Sequence, residues 1–174
     1  KTHIYCPCSK HFWMPFTLVH GVISFFVLPF FTKDRRLWLP AFIAGMLPDI
    51  DGFPILWDME LFYAIHHELL HPLIYGIVLG IPAALLLNYF FKIDKAKSLL
   101  VFATAFMLHP VFDVFFTNWP VKLFWPLYNE QFSYPFFIDY NLLLWPLVPV
   151  MVAVPFIIDY FRNRAKSGAL HQNG

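Results

Sequence analysis

Five apolar runs, 14–31, 37–57, 69–91, 98–116 and 141–161, constrain this chain more than any other feature in it. Each is about long enough to cross a hydrocarbon core of ~30 Å as a helix. None alternates apolar with polar residues, which argues against membrane strands. Pro29, Pro40, Pro82, Pro146, Pro149 and Pro155 lie inside the runs, and membrane helices tolerate such prolines as kinks. The chain is 59% hydrophobic and 13% charged. A soluble domain averages roughly 45–50% and about 25%, so lipid is the solvent for most of this surface. The expectation is an all-α, polytopic membrane helical bundle of five transmembrane helices, with residues 1–174 forming a single transmembrane domain.

The basic residues give the runs a direction. Lys33, Arg35 and Arg36 follow the first run, Lys92, Lys95 and Lys97 follow the third, and Arg162, Arg164 and Lys166 follow the fifth. Five crossings put all three clusters on one side, and only Lys1, Lys10 and Lys122 on the other. The basic side is the cytoplasmic one. The amino terminus therefore faces out and the carboxyl terminus in, in a multi-pass protein of the inner (cytoplasmic) membrane. The longest connection, 117–140, falls outside. Its Trp119, Trp125, Tyr128, Tyr134 and Tyr140 suit the headgroup zone, as a loop or short interfacial helix lying over whatever is beneath.

Several classes drop out. A net charge of +1 gives no basic surface for nucleic acid. The sequence has no Gly-rich phosphate loop and no internal repeat, and no cleavable signal peptide is visible. Cys6 and Cys8 are too close in sequence for an ordinary disulfide and are expected as free thiols.

What remains is a set of ionisable residues in or beside the apolar runs: His20, Asp49, Asp51, His66, His67, His71, His109 and Asp113. A rise of about 1.5 Å per helical residue places each in the outward half of its run. Burying such groups in lipid costs several kcal/mol apiece. Four runs nevertheless bring them to one level. His67 with His71, and His109 with Asp113, are four apart and share a face if helical. Imidazole and carboxylate together suit zinc or a similar divalent ion, held between facing helices.

The order of these pieces has a family likeness. LVHGVIS around His20 is followed by GMLPDID, then HHELLH, then LHPVFD. This resembles the bacterial and archaeal family of membrane-bound metal-dependent hydrolases that includes the LexA-regulated inner-membrane hydrolase. The third element of that family reads His-Arg-Gly-x-Thr-His-Ser. Its two histidines match His66 and His71, while the Arg, Gly, Thr and Ser have no counterpart here. Register favours His66 as the ligand; helical geometry favours His67. The chain is more distantly similar to zinc-dependent phospholipase C and the single-strand nucleases of the same helical fold. That likeness implies a bridging role for Asp113 and one or two ions.

Together these readings predict hydrolysis of a phosphoester, or another ester, of a lipid-like substrate near the outer leaflet. The metal lowers the pKa of a bound water from about 15.7 towards ~7. Asp51 or Glu68 is the candidate general base. Membrane lipids are the expected surroundings, and other protein subunits are allowed. Two rivals stand beside this reading: a haem protein using His20 and His109 as axial ligands, and a non-catalytic accessory subunit of a membrane complex.

Overall fold

A computed structural model describes residues 17–137 and 141–172, with side chains described at 17–28, 30–137 and 146–164. Cys6, Cys8, Tyr140 and the start of the first apolar run lie outside the described residues. Among the described residues the chain is all-α. Its helices are α1 (Thr17–Val27), α2 (Trp38–Met46), α3 (Met59–Ile65), α4 (Ile74–Phe91), α5 (Lys95–Phe116) and α6 (Asn141–Gln172). The one described bridge of β type pairs Val121 with Phe132 in the loop after α5.

Among the described residues, three helical stretches are long and apolar enough to cross a membrane: Arg35–Leu56, Ile74–Phe91 and Lys95–Phe116. The first is composite. Three-ten turns at Arg35–Leu37 lead into α2, which gives way at Leu47 to ten residues of 3₁₀ helix, Leu47–Leu56. Pro48 and Pro54 lack the N–H that an α-helix needs there. Runs of 3₁₀ helix this long are uncommon and often mark a functional segment.

Two expected boundaries change. The first run becomes an 11-residue α1 followed by a 3₁₀ turn, Leu28–Phe30. The third run does not begin its helix at residue 69. Residues 66–73 are irregular and α4 starts at Ile74, just past Pro72. His67 and His71 therefore do not share a helix face.

Small residues let the helices close up. Gly76 and Gly80 of α4 face α5, where a Cβ would stand 3.1 Å from the Ala103 carbonyl and 2.8 Å from Leu99 Cδ1 respectively. In lipid such close approach is a main source of helix association. The opposite surface of α4 exposes Ile77, Val78, Ile81, Leu85 and Leu86 to contact with lipid. A dry core of Leu28, Leu37, Ala41, Phe102 and Phe106 fills one half of the bundle.

The basic segments meet at one end, as the charge pattern requires. Arg36 donates to the Phe91 carbonyl at 2.9 Å and pairs with Asp34 at 2.8 Å. Lys97 lies 3.6 Å from the same carboxylate, and Arg35 pairs with Asp159 of α6. The His and Asp residues gather elsewhere, where α1, the 3₁₀ segment, loop 66–73 and α5 come together.

Two measurements test this frame. Gly45 lies where α2 crosses α1, and a Cβ there would stand 2.7 Å from Ser24 Cβ and 2.8 Å from the His20 carbonyl. Gly45→Val is expected to lower the melting temperature in detergent, by the equivalent of about 1–3 kcal/mol of overpacking. Hydrogen bonding from Arg36 holds the Asp34 carboxyl at about 2, below its ordinary 3.8. A depressed carboxyl contributes fully above the unfolded value and loses its contribution as pH falls through the folded one. The melting-temperature gap between wild type and Asp34→Asn is therefore expected to be constant from pH 7 to 5 and to close between 3.8 and about 2.

Candidate metal centre

Eight ionisable side chains from four segments converge. His20 comes from α1, Asp49 and Asp51 from the 3₁₀ segment, His66, His67 and His71 from the following loop, and His109 and Asp113 from α5. His67 and His71 are fully buried, His109 and Asp113 are 1% exposed, and His20 is 2% exposed. Groups of this kind survive burial only when their polar atoms are matched.

The matching is one-sided. His109 Nδ1 lies 2.7 Å from the Gly45 carbonyl, which can only accept, so the proton sits on Nδ1. His71 Nδ1 lies 3.2 Å from Asp51 Oδ2 and donates in the same way. Each ring then presents Nε2 on its other side. His109 Nε2 is 3.2 Å from both Asp49 Oδ1 and Asp113 Oδ2. His71 Nε2 is 3.4 Å from Asp113 Oδ2 and 3.9 Å from Asp49 Oδ1. His71 Nε2, His109 Nε2 and Asp113 Oδ2 are buried with no hydrogen-bond partner. With Nδ1 protonated, each neutral ring turns an Nε2 lone pair towards the carboxylate lone pairs. A cation at their common point turns that repulsion into attraction, so the donor set fits a divalent metal of the N/O-binding kind.

Among the described residues, three groups each bring their donor atoms within 4.8 Å of one another: Asp49, His71 and His109; His67, His71 and Asp113; and His20, His109 and Asp113. Asp113 belongs to two of them and uses both oxygens. Its Oδ1 faces His20 Nε2 at 3.3 Å, and its Oδ2 faces His71, His109 and, at 4.0 Å, His67 Nε2. The shared face of His109 and Asp113 is the one the four-residue spacing predicts.

His67, not His66, enters the groups of donor atoms. It does so by a route that helical spacing does not supply. Its φ is 67°, a left-handed conformation that costs a non-glycine residue about 1–2 kcal/mol. That turn stacks its ring on His71 at 4.3 Å between centroids. His66 instead places Nδ1 at 2.7 Å from Asp51 Oδ1.

Asp51 and Glu68 stand differently from the expectation of catalytic or ligating carboxylates. Asp51 joins none of the groups and is engaged by His66, His71 and the backbone N–H of Leu70 at 3.1 Å. Residues two apart lie on different sides of a 3₁₀ helix, at about 120° per step, and Asp49 and Asp51 are so placed. Glu68 faces the loop after α5, paired with Lys122 and accepting from Gln131 at 2.8 Å. It ties that loop down. The His20 and His109 rings, the example pair for haem ligation, stack directly on one another at 3.8 Å.

One participant escapes a reading of the sequence. The Gly45 carbonyl fixes the His109 tautomer from 64 residues away, and no side-chain motif marks it. Trp119, in the loop expected to lie over whatever is beneath, stands 5.3 Å from the His67 ring and 5.4 Å from the His66 ring. The loop carrying it is pinned by Leu73 N–H to Leu123 O at 2.9 Å and Tyr134 N–H to Val114 O at 2.7 Å, and contains no helix among the described residues.

The strain at His67 is open to measurement. His67→Gly is expected to be more stable than His67→Ala by about 1 kcal/mol, because only glycine adopts the left-handed turn without penalty. Equal thermal stability of the two variants in detergent would remove the strain.

Comparison with curated proteins finds no match, and comparison with solved structures finds none either, so the distant likeness to zinc-dependent phospholipase C gains no support. A family model does match, over residues 8–171, nearly the whole chain. Its description agrees with the membrane-length helices and with a multi-pass location in the inner membrane: the chain belongs to the YdjM inner membrane protein family.

Proposed function

We propose that this protein is an integral-membrane, metal-dependent hydrolase that cleaves a phosphoester, or another ester, of a lipid-like substrate near the outer leaflet. The observation that carries the reading is the convergence of His71 Nε2, His109 Nε2 and Asp113 Oδ2, all buried and all without a hydrogen-bond partner. Membership of the inner-membrane family supports the setting.

In this reading His71, His109, Asp49 and Asp113 hold a divalent ion, with zinc favoured by the mixed imidazole and carboxylate donors. His67 and His20 complete the ligand set, and Asp113, whose two oxygens face different histidines, is the residue suited to bridge a second ion. When bound, the ion supplies Lewis acidity that activates water and polarises the scissile oxygen. The chain supplies the rest. Asp49 and Asp113 bring negative charge that offsets the ion's own. The Gly45 carbonyl and Asp51 aim the two Nε2 atoms. Trp119, stacked on Tyr63 at 5.7 Å and set edge-on to Phe62 at 5.6 Å, keeps bulk water from the histidines and offers an apolar wall to an acyl chain.

The bundle crosses the membrane five times, amino terminus out and carboxyl terminus in. Lys33, Arg35, Arg36, Lys92, Lys95 and Lys97 then lie on the cytoplasmic side. The site lies at the opposite end, within reach of outer-leaflet headgroups.

Elemental analysis of protein purified in detergent tests the centre. One or two equivalents of zinc are expected in wild type and less than half of that in His71→Ala, His109→Ala and Asp113→Ala. Phosphodiester hydrolysis in mixed micelles is expected to fall to background in the same variants. Stoichiometric zinc that survives all three changes contradicts the centre. Zinc lost without any hydrolysis in wild type points to the accessory-subunit reading.

A further inference from the structure

The sequence offers two aspartates one residue apart, Asp49 and Asp51, and treats them alike. The structure does not. Asp49 turns a carboxylate oxygen towards His71 and His109 at 3.9 and 3.2 Å. Asp51, 3% exposed, spends both oxygens elsewhere. Its Oδ1 accepts from His66 Nδ1 at 2.7 Å, and its Oδ2 from Leu70 N–H at 3.1 Å and His71 Nδ1 at 3.2 Å. One carboxylate thus grips three points of the loop 66–71, which has no helix or strand to hold it in shape.

We infer that Asp51 is a positioning residue for the metal centre: it fixes His71 through Nδ1 so that Nε2 faces Asp49 and Asp113, and it holds the loop that brings His67 alongside. The inference rests on the metal reading above. A carboxylate behind a histidine ligand sets the ring's tautomer and orientation and raises its basicity, and loss of such a partner typically costs about 10–100-fold in metal affinity. Both Asp51 oxygens are engaged, and three of the carboxylate's roughly four lone-pair sites are already taken by donors. Of the two histidines it holds, only His71 passes the effect to the site, because His66 joins no group of donor atoms. In the Pro-Asp-Ile-Asp stretch the first carboxylate is the ligand and the second is its support.

Cobalt(II) titration of purified protein tests this, read by the visible ligand-field bands and by competition with a chelator of known affinity. Wild type is expected to bind Co²⁺ with a band pattern set by N and O donors. Asp51→Asn is expected to keep the stoichiometry and the band energies while binding about 10–100-fold more weakly. His66→Gln, which leaves the Asp51–His71 contact in place, is expected to stay within about threefold of wild type, well below that range. If Asp51→Asn does not yield folded protein, Asp51→Ala gives the same comparison, with added formate entering the vacated space and restoring affinity. Shifted band energies or lost stoichiometry in Asp51→Asn would make Asp51 a ligand and overturn the inference. Wild-type affinity in folded Asp51→Asn would reduce it to a structural residue and overturn it as well. The His109→Ala variant separates the two levels of the argument. If it binds Co²⁺ as wild type does, or if wild type binds none, the centre itself fails and the role of Asp51 falls with it.

Discussion

Buried lone pairs that face one another are the constraint on which this molecule depends. His71 and His109 each commit Nδ1 to an acceptor, Asp51 in one case and the Gly45 carbonyl in the other. Both rings must then turn Nε2 towards the carboxylates of Asp49 and Asp113. In a low-dielectric interior such an arrangement is costly without positive charge at its centre. A divalent ion relieves the cost at once, and its binding free energy would add directly to the stability of the fold. The remaining architecture is explained by what this cluster needs. Gly45 allows α2 to lie against α1, the 3₁₀ segment carries Asp49 and Asp51, and the Trp119 loop lies over the histidines.

Much of the bundle is legible from residues alone, because lipid leaves a chain few options. Apolar runs of membrane length without alternation must be helices; one appears nearly as bounded, in α5, and another keeps its expected end at Phe91, in α4. The gathering of Arg35, Arg36 and Lys97 at one end follows from the same logic. His109 and Asp113 are equally readable, since four residues on an uninterrupted helix always share a face. Membership of an inner-membrane family agrees with this picture.

The less legible parts are those where the backbone leaves regular structure. Pro48 and Pro54 replace α-helix by 3₁₀ helix over Leu47–Leu56, and within it Asp49 and Asp51 take different partners that the residue pattern does not distinguish. His67 and His71 do meet, but through a left-handed turn and an irregular loop rather than through helical spacing. Glu68 has the chemistry of a general base and the position of a tether, and only its contacts with Lys122 and Gln131 distinguish the two. The Gly45 carbonyl could not be found at all, because a backbone acceptor carries no side-chain signature.

X-ray absorption at the zinc edge, on protein purified from membranes in detergent, addresses the central claim most directly. The account predicts a first shell of nitrogen and oxygen alone, at about 2.0–2.2 Å, with the outer-shell scattering that imidazole rings produce. A shell containing sulfur at about 2.3 Å would move the metal to cysteine and contradict it. So would a spectrum of hydrated zinc with no imidazole scattering.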